Sequence, residues 1–289
     1  MFSYLTPERR SRLDLLRPTV RYLSGTEVHV YALAISASVL LSFFPFCNVM
    51  LSFCRNVLHS RAAEDAIYLA LNDYFPGELA AFMKRNLALQ GRLQLTSMVL
   101  LLFTANGIFE PLEVALNRAW GEVKNRSYLK NQLVALGMIF LCGALALLSL
   151  MLTALNKQWI GSWESLSFLA GWLNLLMFKL AAVPISILAL FLIYWLLPNR
   201  KIAPVRVAPT AIIVGLILEA LKYVNLAVTP YLTVKLEHEY FIFRHSVAIL
   251  LWSFVASMVV LGGAEWSART GPSDPAPEDP NLKPSDRLS

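Results

Sequence analysis

Leu133 to Leu155 reads LVALGMIFLCGALALLSLMLTAL, and this stretch decides the fold class because it contains no Asp, Glu, Lys, Arg or His. An α-helix of about 20 mostly apolar residues crosses the roughly 30 Å hydrocarbon core of a bilayer. The whole chain of 289 residues has the same bias, with 57% hydrophobic and 15% charged residues. Soluble domains carry about 25% charged residues. The sequence therefore predicts an integral membrane protein.

Five further apolar runs are long enough to span a bilayer, although each has at least one polar interruption. The predicted fold is all-α: a polytopic bundle of six transmembrane helices that occupies residues 30–266. It follows a cytoplasmic N-terminal segment, residues 1–29, and precedes a disordered cytoplasmic tail, residues 267–289, which is proline-rich and has almost nothing to bury. The predicted spans are 30–53, 95–116, 133–155, 168–197, 207–230 and 243–263.

Two flanking segments have amphipathic patterns. Before the first span, apolar residues recur at helical spacing among arginines from Leu13 to Leu23, which predicts an interfacial helix. In the first outer loop, 54–92, Ile67, Leu71 and Tyr74 share one side of a predicted helix. A second stripe follows the break at residues 76 and 77. Two short amphipathic helices are therefore expected in this loop.

The basic residues predict the orientation, because cytoplasmic loops carry an excess of Lys and Arg. With six spans both termini lie on one side. The basic segments are the N-terminus, the second and fourth loops and the tail, with Arg9, Arg10, Arg12, Arg17, Arg21, Arg118, Lys124, Arg126, Lys130, Arg200, Lys201, Arg206, Arg269, Lys283 and Arg287. Although the first outer loop is also basic, the balance of basic residues over the other loops predicts cytoplasmic termini. The net charge of +6 is then interpreted as a topology signal. No nucleic-acid partner is expected.

A polar stripe interrupts the second span. At about 100° per residue, Asn106, Glu110, Glu113, Asn117 and Trp120 fall within a helical arc of roughly 80°. A carboxylate at the bilayer centre costs on the order of 2.5–3.5 kcal/mol on insertion scales. The helix is therefore expected to turn this stripe toward other helices or water. Pro111 removes a backbone hydrogen bond to the carbonyl of Gly107, and the sequence predicts a kink there.

Other predicted spans contain ionisable partners for this stripe. Glu219 and Lys222 lie three residues apart, close enough to pair on one helix face, and Lys179 is a cation in the fourth span. Three interpretations are open: the charges pair only to fix helix register, they line a polar cavity, or those near span ends reach toward the interface. The candidate polar cavity comprises Asn106, Glu110, Glu113, Asn117, Lys179, Glu219 and Lys222.

Several separate stretches resemble the YihY/BrkB family of bacterial inner-membrane proteins. They are SVLLSFFPF, NDYFP, LEVALNRAWGEVKNRSY, LIYWLLPNRKI, EALK and WSFVASMVVLGGAEW, and they extend from about residue 30 to residue 265. The resemblance implies six helical spans and a multi-pass plasma-membrane location. Two span ends depart from the family pattern, FIFRHS before the sixth span and APT at the start of the fifth, so no loop function is carried over to them.

Three functions are considered. The first is transport or export of a lipid or other amphiphile through a polar cavity between kinked helices, with the lipid bilayer as partner. The second is a non-catalytic structural or scaffold protein. The third is the ribonuclease of an old family label, which requires clustered carboxylates or histidines. The sequence has no such cluster, no nucleotide-binding loop and no CxxC motif among its three cysteines. No catalytic residue, metal or cofactor is therefore expected.

Overall fold

A computed structural model describes residues 17–74, 95–121, 126–161 and 183–270, which are helical and include no strand. The predicted all-α class is confirmed for this part of the chain. The helices are α1 (17–23), α2 (Thr26–Asn56), α3 (Arg61–Tyr74), α4 (Leu95–Ala119), α5 (Tyr128–Gly161), α6 (Val183–Leu196), α7 (Pro204–Tyr240) and α8 (Arg244–Thr270), with a 3-10 turn, Phe241–Phe243, between the last two.

Four of the described helices are long and apolar enough to cross a membrane, namely α2, α5, α7 and α8. They contain the first, third and fifth predicted spans and nearly all of the sixth. The second predicted span lies within α4, and the described part of the fourth is the shorter apolar helix α6. Residues 168–182 of the fourth predicted span lie outside the described residues.

Helix α2 is central to the packing. It contacts α4, α8 and α3, and α8 also contacts α7 and α4. The main core forms where these helices meet, with Ala32 of α2, Leu116 of α4 and Leu261 of α8 fully buried. The apolar residues that make each helix insertable therefore also supply the contacts between helices.

Close approach of α2 and α4 explains the glycine that follows Asn106. A Cβ on Gly107 would lie 2.7 Å from Oγ of Ser38, and small residues allow helix backbones to approach in membranes. Helix α4 is continuous through Pro111. Gly107 thus accommodates a neighbouring helix.

A second close approach brings α8 against α6 and α7. A Cβ on Gly263 would overlap Cγ2 of Val214 and lie 2.7 Å from the hydroxyl of Tyr194. That hydroxyl donates a 2.7 Å hydrogen bond to the carbonyl of Val260. Tyr194 is buried, so its polar tip is satisfied inside an apolar junction.

Where α2 ends and α8 begins, α3 closes a smaller core. Ala63, Ile67 and Leu71 of α3 are buried against Leu51 of α2 and Ile249 of α8. The Arg55 guanidinium is 2.8 Å from the Glu64 carboxylate and joins α2 to α3. Helix α3 overlaps the first of the two helices expected in the outer loop, and the second expected helix lies outside the described residues.

The flanking segments are described in part. Residues 17–23 of the expected interfacial helix are helical, and its earlier residues lie outside the description. Helix α8 continues to Thr270, past the predicted domain boundary at Trp266. Hydrogen bonds from Arg269 to Glu265 and from Arg206 to the carbonyl of Ala268 hold this last turn. The tail predicted to be disordered lies outside the described residues from 271 onward.

Large apolar side chains cover the outside of the bundle. Phe103 is 79% exposed, and Leu41, Leu133, Phe140 and Leu216 are also exposed. Soluble monomers rarely expose contiguous apolar patches of more than a few hundred Å². The outward apolar faces suit an environment of acyl chains.

The α6–α7–α8 junction yields a stability prediction. Gly263→Ala should lower the free energy of unfolding by about 1–3 kcal/mol, because overpacking a tight site forces its neighbours to move. Gly137→Ala is the matched control, since its Cβ would meet nothing within 4 Å. Thermal unfolding of the detergent-purified protein measures both. Equal melting temperatures for the two variants would contradict the packing described.

Candidate functional site

Buried polar groups cluster at one end of the bundle. This end, the arginine face, comprises the C-terminal ends of α4, α6 and α8, the N-terminal ends of α2, α5 and α7, and α1. Its contacts join Glu27 to Arg118 at 2.8 Å, and they join Asn117, Trp120 and Arg126 to residues 196–200. Helix ends leave backbone groups without intrahelical partners, so polar side chains can satisfy them here.

Arg126 is the hub of this end. Its guanidinium donates hydrogen bonds to the carbonyls of Leu197 and Pro198, each at 2.9 Å, and to the side-chain oxygen of Asn199 at 3.2 Å. It also lies 3.5 Å from the carboxylate of Glu113, whose side chain is only 4% exposed. A planar guanidinium has five N–H donors in a fixed fork. One side chain therefore neutralises Glu113 and caps the end of α6.

Asn117 completes the connection between α4 and the turn after α6. Its side-chain oxygen accepts a 2.6 Å hydrogen bond from the backbone N–H of Asn199. Asn117 is buried. It lies one helical turn beyond Glu113. The buried part of the polar stripe therefore contacts residue 199 through Asn117 and is linked to residues 197–199 through Arg126.

A second group of arginines surrounds the end of α4. Arg206 lies 4.8 Å from the ring centroid of Trp120 and donates a 2.8 Å hydrogen bond to the carbonyl of Ala268. Arg200 donates a 3.1 Å hydrogen bond to the carbonyl of Trp120. Trp120 is buried, and cation–π attraction favours the placement of Arg206 over its ring. These contacts join α4, α7 and α8.

Helix α1 packs against the end of α8. The Thr19 hydroxyl donates a hydrogen bond to Glu265, and Arg269 donates a 2.9 Å hydrogen bond to the same carboxylate. Burial, followed by the nearby Glu265 carboxylate, raises the pKa of Tyr22 to about 12. Tyr22 is therefore a neutral phenol at physiological pH, and the negative charge here comes from Glu265.

A cavity of about 390 Å³ lies between α6, α7 and α8 and contains the predicted Glu219 and Lys222. The Lys222 Nζ lies 3.5 Å from Glu219 Oε1, as the three-residue spacing predicts. Asn225, one turn beyond Lys222, also lines it and is buried. The remaining lining is mostly apolar. The site therefore combines an ion pair and an amide with a mostly apolar lining.

A second cavity of about 430 Å³ lies between α2, α3, α5 and α6. Its lining is almost entirely apolar and includes Phe46, Met50 and Leu145. Ser186 and Ala189 line both cavities. The part of α6 that contains Ser186 and Ala189 thus lies between the apolar cavity and the cavity that contains the ion pair.

The predicted site residues fall into different environments. Glu113 and Asn117 belong to the arginine face, whereas Glu219 and Lys222 line the α6–α7–α8 cavity. Glu110 is exposed. Asn106 lies on α4 beside Gly107, and Lys179 lies outside the described residues. The two pairs therefore mark two separate candidate sites.

The sequence interpretation missed the role of the arginines. Arg126, Arg200 and Arg206 count there only as topology signals, yet each makes specific contacts between helices. The available signal was the resemblance itself. The stretch with Trp120 and Arg126, the stretch with Arg200, and the WSFVASMVVLGGAEW stretch meet at the arginine face. Arg206 lies outside these stretches.

Metal chemistry has no evident donor set in the described ranges. Among these residues no three or more His, Cys, Asp or Glu side chains are grouped so that they could hold a metal ion. Cys47, Cys54 and Cys142 are free thiols, and the first two are buried.

The fold and its buried polar contacts define an all-helical membrane protein with apolar helices. The chain matches the family model described as Virulence factor BrkB over residues 19–286. It therefore belongs to the BrkB virulence factor family, which is the YihY/BrkB family indicated by the sequence resemblance. The curated proteins and the solved structures compared with the chain include no match.

The Arg126 hub predicts strong coupling to Glu113. Arg126→Met should cost about 3–5 kcal/mol of unfolding free energy, because it leaves the buried Glu113 carboxylate without its cation. Adding Glu113→Gln should recover part of this loss. A double-mutant cycle measured by SDS-induced unfolding should give a coupling free energy of about 1–3 kcal/mol.

The Glu27–Arg118 pair provides the matched control for this cycle. Both of its side chains are 60% exposed, and exposed ion pairs contribute only about 0–1 kcal/mol. A coupling free energy for Glu113 and Arg126 no larger than that of the control pair would contradict the proposed hub.

Proposed function

We propose that the chain transports or exports a lipid or another amphiphile across the bacterial inner membrane. The observation that carries the proposal is the cavity containing Glu219 and Lys222, in which an ion pair and an amide lie within a mostly apolar lining. Intramembrane ionisable groups commonly mark substrate or ion routes. The proposal assigns no catalytic step and no cofactor to the protein.

The proposal includes six spans with cytoplasmic termini. Contacts at the arginine face connect the start of α2, the end of α4, residue 126 before α5, and the end of α6. The start of α7 and the end of α8 also contact each other at this face. This alternation of helix ends supports one crossing by each of α2, α4, α5, α6, α7 and α8. The basic character of the face supports a cytoplasmic location.

The two cavities suit the two parts of an amphiphile. The cavity between α2, α3, α5 and α6 offers apolar surface for an acyl chain. The neighbouring cavity offers Lys222 to an anionic group and Glu219 to a cationic or hydroxyl group. Because Ser186 and Ala189 line both cavities, a molecule could extend past α6 with its headgroup on one side and its chain on the other.

The charge pair is the first target for a test. Glu219→Gln combined with Lys222→Met should slow movement of a fluorescent phosphatidylglycerol between leaflets of proteoliposomes by at least about tenfold. Loss of one charge-assisted hydrogen bond costs on the order of 1.5–3 kcal/mol, and each 1.4 kcal/mol is tenfold in rate. Dithionite quenching of the outer-leaflet label measures the rate.

The matched control is Glu237→Gln combined with Arg244→Met. This pair has a 2.6 Å contact at the opposite end of the bundle, outside the α6–α7–α8 cavity. Its removal should leave the transfer rate unchanged. If wild type moves lipid and both double variants retain its rate while folded, the cavity is not the route.

The scaffold interpretation has a different outcome. It is favoured if wild-type proteoliposomes move lipid between leaflets no faster than protein-free vesicles do, and if Glu219 and Lys222 show coupling in the free energy of unfolding alone.

The junction between the cavities gives a steric test. Because Ala189 lines both cavities, Ala189→Trp should occupy part of the route past α6 and lower the transfer rate to the background of protein-free vesicles. Ala144→Trp is the control because Ala144 is an exposed residue of α5 and a large apolar side chain there meets lipid. Full transfer by a folded Ala189→Trp variant would contradict a route that passes between the two cavities.

A further inference from the structure

The arginine face contains a third cavity, of about 550 Å³, that the transport proposal does not use. The end of α4, the turn after α6, the start of α7 and the end of α8 form its walls. Its charged lining consists of three arginines and one glutamate: Arg200, Arg206, Arg269 and Glu265. The cavity is therefore open to an anion and carries an excess of positive charge.

Existing contacts hold its arginines in place. The contact with Ala268 and the ring of Trp120 fixes Arg206, and the hydrogen bond to the Trp120 carbonyl orients Arg200. Arg269 extends along Glu265 and lies 5.3 Å from the ring centroid of Trp266. Guanidinium groups held in this way lose little conformational freedom when they bind phosphate oxygens with two N–H groups.

An independent observation points to a missing acceptor. Trp120 lines the cavity and is only 5% exposed, and its indole N–H has no hydrogen-bond partner within the described ranges. A buried donor without an acceptor costs about 1–3 kcal/mol. An oxyanion in the cavity would supply that acceptor beside the guanidinium of Arg206.

The position of the cavity selects a lipid as the source of the oxyanion. Arg206 and Arg269 lie at the ends of the two apolar helices α7 and α8, where a membrane span meets the headgroup layer. Val205, adjacent to Arg206, is 79% exposed and offers apolar surface next to the charge. Basic pockets at the cytoplasmic side of transmembrane helices are suited to anionic headgroups.

We infer that this cavity binds the phosphate of an anionic phospholipid headgroup. Arg200 and Arg269 contact the phosphate oxygens, and the Trp120 indole N–H donates a hydrogen bond to one of them. The acyl chains lie along the exposed apolar surface at the start of α7. The site is separate from the Glu219 and Lys222 cavity, so it holds whether or not the protein transports lipid.

Native mass spectrometry of the full chain in detergent micelles tests the inference. Dioleoylphosphatidylglycerol is titrated against dioleoylphosphatidylcholine, and the retained lipid gives an apparent affinity. The wild type should retain phosphatidylglycerol preferentially. Arg200→Gln combined with Arg269→Gln should weaken phosphatidylglycerol binding by at least about tenfold, because two charge-assisted contacts are lost. Arg118→Gln is the control on the same face and should bind as the wild type does.

Trp120→Phe keeps an aromatic ring beneath Arg206 and removes the indole N–H together with part of the ring system, so the folding of this variant is measured beside its binding. It should weaken phosphatidylglycerol binding several-fold in a lipid-free protein that still unfolds in one cooperative thermal transition. Wild-type binding by Trp120→Phe and by the double arginine variant would overturn the inference. A parallel arm adds inorganic phosphate alone. If phosphate raises the melting temperature as much as phosphatidylglycerol does, a free anion occupies the site and the lipid assignment is wrong.

Discussion

Lipid offers a buried polar group no hydrogen-bond partner, and the structure depends on this constraint. Backbone groups inside the membrane must be paired within the helices, and each ionisable side chain must meet another protein group. Arg126 satisfies both requirements at once, because it contacts the Glu113 carboxylate and carbonyls at the end of α6. Without such a cation, the buried Glu113 would oppose insertion of the second apolar run.

The same constraint acts differently at the arginine face and in the cavity between α6, α7 and α8. At the arginine face, side chains pair with helix-terminal backbone groups, and these contacts hold the helix ends together. In the cavity between α6, α7 and α8, Glu219 and Lys222 pair with each other inside an apolar lining. A pair that bonds within one helix need not hold neighbouring helices together. That difference is why the cavity, and not the buried end of the polar stripe, supports the transport proposal.

Helix positions follow well from the sequence, because an apolar run of sufficient length has few alternatives in lipid. The predicted spans 30–53, 95–116 and 133–155 each lie inside one helix. The Glu219–Lys222 contact was also predictable, because a separation of three residues places both side chains on one helix face. These features depend on local spacing alone.

Features that depend on distant partners were not predictable from local spacing. Arg126 bonds to residues 196–199, far along the chain. In the sequence it therefore cannot be distinguished from any other basic loop residue.

The polar stripe shows a second limit of prediction from local spacing. Phe109, Leu112 and Leu116 are buried with Glu113 and Asn117, so the inward face of α4 is centred away from Glu110. Glu110 lies at the edge of the predicted arc and is exposed.

The central claim is that Glu219 and Lys222 of α7 face a protein-lined cavity and not acyl chains. Nitroxide labels at Glu219→Cys and at Phe103→Cys, in a chain whose three native cysteines are replaced by alanine, test it by electron paramagnetic resonance in bilayers. Phe103 is 79% exposed, so its label should collide freely with oxygen dissolved in lipid. The account predicts much lower oxygen accessibility at position 219. Equal oxygen accessibility at the two positions would contradict it.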